Sequence, residues 1–132
     1  MTAVGKKDNM AIRATCLNCM DGRVQLPVLN WIREKYSIDF VDVITEAGID
    51  GVVASQDNID EIIRSINISV NINKSVRIFL VGHHDCKGNP VDEETHRENI
   101  NKAVARLKAY WPEFEIIGLW VNGHWQVEVW CK

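Results

Sequence analysis

Apolar residues along the chain fall into short unbroken runs that alternate with stretches of helical spacing. Ala11 to Cys16 predicts a strand. Pro27 to Tyr36 predicts a helix with Pro27 in its first turn, where a missing N–H is tolerated, and with Val28, Ile32 and Tyr36 on one face. Phe40 to Thr45 predicts a second strand, after which Ala47-Gly48 turns the chain. Ser55 or Asp57 is expected to cap a helix whose buried stripe is Ile59, Ile62, Ile63, Ile66 and Val70. Val76 to Val81 reads as a strand covered on both faces. Pro90 and the acidic "VDEETHRE" open another helix, with Ile100, Val104, Leu107 and Trp111 on one side. Ile116 to Val121 and Trp125 to Trp130 flank Asn122-Gly123, the pattern of a hairpin around a two-residue turn. The alternation implies an α/β fold: a mainly parallel central sheet of four strands flanked by helices, plus a C-terminal antiparallel edge strand.

Composition narrows the class. A chain of 132 residues that is 46% hydrophobic is expected to form one domain with a real core, and residues 1–10 are expected to be flexible. The net charge of -3, with no basic stripe, argues against nucleic-acid binding. No apolar run is long enough for a membrane span, and "MTAVGKKDNM" has no apolar segment of a signal peptide, so a cytoplasmic location is expected. The sequons at Asn67 and Asn73 are then accidental. In that setting the four cysteines, Cys16, Cys19, Cys86 and Cys131, point to metal or redox chemistry before structural disulfides.

Chemistry concentrates where strands end. "CLNCMDGR" follows the first strand and "GHHDCKG" follows the third. Open α/β sheets gather ligands at the carboxyl ends of their strands, so the two loops meet if these strands are neighbours. Cys19, His83 and Cys86 then supply three zinc ligands and leave a fourth position for water. Two thiolates make the site soft, favouring zinc over magnesium or calcium. They also neutralise the ion, so a carboxylate that accepts a hydrogen bond or proton from the bound water would help. Asp21 is that candidate. Arg23, two residues on, can hold it in a bidentate pair and keep it out of the fourth position.

These residues carry a resemblance. Cys19-Met20-Asp21-Gly22-Arg23 resembles the Cys-x-Asp-x-Arg motif of β-class carbonic anhydrases, and Gly82-His83-His84-Asp85-Cys86 resembles their His-x-x-Cys motif. Val24 and Pro27, Ala47-Gly48 and the final hairpin fit the same family, over roughly Ile12 to Trp130. The resemblance implies a zinc enzyme that hydrates carbon dioxide to bicarbonate, built on homodimers or larger homo-oligomers. Cys19, His83 and Cys86 would be its ligands and Asp21–Arg23 its catalytic dyad. The departures are Met10 where many members have a substrate-binding glutamine, Gly22 where serine is frequent, and Cys86-Lys87-Gly88 in place of Cys-Gly-Gly. The resemblance does not extend to the family's N-terminal helical arm.

Three other readings compete. Cys16-Leu17-Asn18-Cys19 matches a CxxC thiol–disulfide oxidoreductase motif, which leaves the second loop unexplained. A zinc-stabilised domain with a binding or regulatory role would use the same ligands without catalysis. The same chemistry would also serve carbon disulfide or carbonyl sulfide. Among the remaining residues, His84 is a candidate proton shuttle that reads first as a surface or supporting group. His96 and His124 read as surface histidines, the five tryptophans as core or subunit interface, and Cys131 and Glu46 as incidental.

Overall fold

The computed structural model describes residues 10–132. The expected flexible lead-in therefore falls almost wholly outside the described residues. Five strands and four α-helices alternate: β1 (Arg13–Asn18), α1 (Gln25–Tyr36), β2 (Phe40–Thr45), α2 (Ile49–Ser55), α3 (Asp60–Asn67), β3 (Ile78–His83), α4 (Glu93–Tyr110), β4 (Ile116–Val121) and β5 (Val127–Cys131). The sheet order is β2-β1-β3-β4-β5. The first four strands run parallel and β5 pairs antiparallel with β4. This is the expected fold class, and it makes β1 and β3 neighbours.

Both faces of the sheet are covered. Leu17, Leu80, Ile116 and Trp120 pack against Ile49 and Val53 of α2, Ile62 and Ile66 of α3, and Ile100 and Leu107 of α4. The opposite face sets Ala14, Cys16, Phe79 and Leu119 against Val28 and Ile32 of α1. Each fully buried Ile or Leu contributes roughly 1.5–3 kcal/mol of transfer free energy. Coverage on both faces explains why β3 and β4 are buried along their whole length, whereas the edge strands β2 and β5 are partly exposed. Among the described residues no helix is long and apolar enough to cross a membrane.

Several expectations need correction. β1 and β3 each end two residues later than the apolar runs, because polar Asn18 and His83 are buried strand residues. Helix α2 follows directly on the Ala47-Gly48 turn, over residues for which the apolar pattern predicts no element. Its sequence IDGVVAS holds a glycine and spans seven residues, and it is secured by tertiary burial of Ile49 and Val53, one turn apart. Helix α3 starts at Asp60 with Ile59 in the cap position, so neither Ser55, which ends α2, nor Asp57 caps it. Ser55 Oγ donates back to the Gly51 carbonyl, and the Asn58 side chain instead accepts the Asp60 N–H.

The hairpin is also wider than a two-residue turn. The Trp125 N–H bonds the Asn122 carbonyl at 2.9 Å and Trp125 itself takes φ 60°, while Gly123 keeps a negative φ. Asn122 Oδ1 accepts from the N–H groups of His124 and Gln126, so its side chain organises the longer loop. The acidic start of α4 follows expectation, with Asp92 accepting the Thr95 N–H and Glu93 and Glu94 in the first turn.

Candidate metal centre

Pairing of β1 with β3 brings the two reactive loops together. Cys19 is the first residue beyond β1, and His83 is the last of β3. Cys86 lies three residues on, after a reversal at Asp85, which takes φ 57°, a conformation short polar side chains tolerate. One ligand atom from each of Cys19, His83 and Cys86 falls within 4.8 Å of the others, and all three residues are buried. Among the described residues no other group of three or more His, Cys, Asp or Glu side chains converges in this way.

The donor set fits a zinc ion. The two sulfurs stand 3.9 Å apart. A disulfide needs about 2.05 Å, whereas two sulfurs bound tetrahedrally to zinc at about 2.3 Å each sit about 3.8 Å apart. His83 Nδ1 donates to the His84 carbonyl at 2.8 Å. That bond fixes the tautomer and leaves Nε2 as the lone-pair nitrogen, and Nε2 is buried with no protein partner. A buried unpaired nitrogen is costly unless something occupies it. Burial, opposed by weaker neighbouring effects, lowers the His83 pKa and keeps the ring in its neutral, metal-binding form. Burial and then the Cys19 thiol push the Cys86 thiol up to about 11, so the Cys86 sulfur holds its proton until a cation displaces it.

The Gly48 N–H, at the start of α2, reaches Cys19 Sγ at 3.5 Å. Gln25, in the first turn of α1, donates to the Cys19 carbonyl at 2.7 Å and the Asp21 carbonyl at 2.9 Å. It ties the first loop to the helix. Sequence reasoning passed over Gln25, though a side-chain amide six residues after a ligand was the available signal.

Asp21 stands outside the cluster of ligand atoms, held by Arg23. Arg23 Nη2 and Nε bond Asp21 Oδ2 at 2.7 and 3.2 Å, and its Nε and backbone N–H bond Oδ1 at 3.1 and 2.9 Å. The guanidinium hydrogen bonds lower the Asp21 pKa to about 2. The Arg23 side chain is 42% exposed, so solvent screens the pair and it adds little to stability. Its consequence is geometric. The same guanidinium spans to the second loop, bonding Asp85 Oδ2 at 3.1 Å and the Asp85 carbonyl at 3.0 Å, and it lies 4.5 Å from the centre of the Trp125 ring. Trp125 thus packs on the dyad, a role its place in a hairpin did not announce.

The motif departures have local explanations. A Cβ on Gly88 would meet the Ala47 carbonyl carbon at 2.5 Å, so the second glycine after Cys86 is sterically required. At the first, Lys87 is exposed and pairs with Asp85 at 2.9 Å. Gly22 has open space around it, and Met10 is 66% exposed.

His84 and His124 are exposed and Glu46 remains outside the cluster, as expected. His96 is not a surface residue: it is 1% exposed and bonds the buried Asp50. Trp111 and Trp120 are core residues, whereas Trp130 is 38% exposed. Cys16 lies inside β1, fully buried, and burial pushes its thiol up to about 12. It is neither at a helix start nor able to ionise near neutrality, the two conditions a CxxC redox thiol needs.

A mainly parallel α/β sheet with two cysteines and a histidine gathered at its strand ends defines an α/β protein with a candidate metal centre. The family model described as "Putative carbonic anhydrase" matches residues 10–131, and the chain belongs to that family. Its fold is similar to that of carbonic anhydrase from Streptococcus mutans, with a TM-score of 0.62 and 17% identity over 87% of this chain and 80% of that one. It is also similar to one of two tetrameric β-carbonic anhydrases from Sordaria macrospora, with a TM-score of 0.63 and 14% identity over 90% and 80%. A comparison with curated proteins gives no significant match.

Proposed function

We propose that this chain is a cytoplasmic, single-domain enzyme that interconverts carbon dioxide and bicarbonate, with zinc held by Cys19, His83 and Cys86 and with Asp21–Arg23 as its catalytic dyad. The observation that carries the reading is the buried cluster of two thiols and a histidine nitrogen within 4.8 Å, with His83 Nε2 unpartnered. Family membership and the four free cysteines, which suit a reducing compartment, support it.

Zinc on such ligands supplies an acidified water as nucleophile. The protein's own residues do the rest. His83 is fixed in one tautomer by the His84 carbonyl. Three N–H groups of Arg23 engage the two Asp21 oxygens, with Nε shared between them, which leaves the carboxylate capacity for one hydrogen bond from the attacking water. Arg23 also joins the two loops through Asp85, so the carboxylate and the ligands keep one relative geometry.

Stopped-flow carbon dioxide hydration on protein of measured zinc content tests the reading. About one zinc per chain and a rate that rises with pH are expected. A zinc-loaded protein without hydration activity, and with its fourth position filled by protein, would replace the enzyme by a zinc-stabilised binding domain.

We also propose assembly into at least a dimer. Val43 on edge strand β2 and Ile68 and Ile72 beyond α3 leave apolar surface exposed, with Ile72 72% accessible. The Sordaria macrospora relatives are described as tetrameric. Sedimentation at micromolar concentration is expected to give a dimer or larger, and a monomer would refute this part.

A further inference from the structure

We propose that Asp50 and His96 form a buried positioning pair that sets the metal-binding loops in their relative places, acting through Asn89, Gly48 and Gly82. This inference rests on the reading of Cys19, His83 and Cys86 as ligands. Asp50 sits in the first turn of α2 and His96 near the start of α4, and each is 1% exposed. His96 Nδ1 donates to Asp50 Oδ2 at 2.6 Å. The other carboxylate oxygen accepts from the Gly51 N–H at 2.9 Å and from Asn89 Nδ2 at 3.2 Å. Asn89 also donates to Asn99 Oδ1 of α4 at 2.9 Å.

From this one carboxylate, short links lead to all three ligands. Asn89 lies three residues after Cys86 and straps that loop to α2. Gly48, two residues before Asp50, donates its N–H to Cys19 Sγ. Gly82 immediately precedes His83, and a Cβ there would stand 2.7 Å from Asp50 Oδ2. The contacts allow little play: a Cβ on Gly51 would meet Asn89 Nδ2 at 2.7 Å, and one on Gly48 would meet the Gly88 carbonyl carbon at 2.5 Å.

A buried polar pair is a poor device for stability alone, because apolar residues of the same volume often serve as well or better. Its value lies in direction: a carboxylate with three donors on fixed elements admits one arrangement of those elements. Groups that orient metal ligands from behind typically change metal affinity 10–100-fold when removed.

The test measures zinc affinity by chelator competition, and the visible absorption of the cobalt-substituted protein, on wild type and four variants. Asn89→Ala keeps the Asp50–His96 bond and cuts the strap to Asp50 together with the bond to Asn99. It is expected to weaken zinc binding about tenfold and to alter the cobalt bands. His96→Leu is expected to weaken it about 10–100-fold. His96→Asn, which keeps an N–H donor near the position of Nδ1, is expected to restore affinity to within about threefold of wild type.

Leu107→Ala is the control for stability without position. Leu107 is fully buried on the same helix, eleven residues and about 16 Å beyond His96. It is expected to lower the melting temperature of the metal-free protein while leaving zinc affinity and the cobalt spectrum unchanged. If Asn89→Ala and His96→Leu bind zinc as tightly as Leu107→Ala does, the positioning role is refuted. If His96→Leu does not fold, Asn89→Ala decides alone. A wild type that binds no zinc overturns the metal reading itself, and this inference with it.

Discussion

Cys86→Ser is expected to lose more than about 100-fold in zinc affinity, beyond the range typical of outer partners. A serine hydroxyl does not ionise near neutrality and is a hard donor, so the site would keep only Cys19 and His83. Cys19→Ser is expected to behave alike, with the further loss of the sulfur that accepts the Gly48 N–H. Cys16→Ser is the internal contrast. Its side chain lies inside β1, in the core beneath α1, so the change lowers stability but leaves zinc in place. Affinity in the wild type is expected to rise with pH. The Cys86 thiol, pushed up by burial and by Cys19, carries a proton at neutral pH that the cation must displace, and that displacement eases as pH increases. His83, held below its ordinary value by burial, competes with protons only on the acid side. Chelator titrations at several pH values check both statements. Zinc retained at full affinity by Cys86→Ser would remove the basis of the centre.

What the sequence made legible follows from what it encodes locally. Strand–helix alternation, and two clusters of metal-seeking residues at the ends of apolar runs, are local patterns, and both met at the β1–β3 pairing. The three converging residues were readable because no common structural use accounts for Cys, His and Cys at two strand ends. The errors arise where tertiary structure overrides local pattern. Asn18 and His83 look like loop residues, yet each completes a strand because the site recruits polar groups into buried ends. Helix α2 is too short and too glycine-rich to announce itself, so Asp50 drew no notice. His96 sits in the acidic, outwardly polar opening of α4, and only its partner across the fold, 46 residues earlier, makes it a buried group. Arg23 shows the same limit. Its pairing with Asp21 is local and was expected, but its contact with Asp85 depends on the β1–β3 pairing and its contact with Trp125 on the hairpin folding back over the first loop.

Arg23→Ala is expected to keep zinc and to lose carbon dioxide hydration, a separation that only a restraining role for the arginine predicts. The substitution removes every guanidinium bond to Asp21, together with those to Asp85 and the stacking on Trp125. Only the backbone N–H at 2.9 Å still holds Asp21 Oδ1, so the other oxygen is released beside the cluster of Cys19, His83 and Cys86. A free carboxylate close to a divalent cation binds it. The position needed for water is then filled, and the bands of the cobalt-substituted variant are expected to shift accordingly. Lysine is a weak substitute, since a point charge cannot engage both oxygens as the planar fork does, so Arg23→Lys is expected to fall between alanine and wild type. Asp21→Asn approaches the question from the other partner. It retains zinc and geometry but no longer accepts a proton, and a loss of about 10²–10⁴-fold in rate is expected. With the Asp21 pKa held to about 2, the pair stays ionised across the working range. The rise of wild-type activity with pH therefore reports the attacking water and not the opening of this pair. Hydration rates against pH, with zinc assayed in each sample, decide the matter. If Arg23→Ala and Asp21→Asn both match an active wild type, the pair is a surface contact with no part in the reaction.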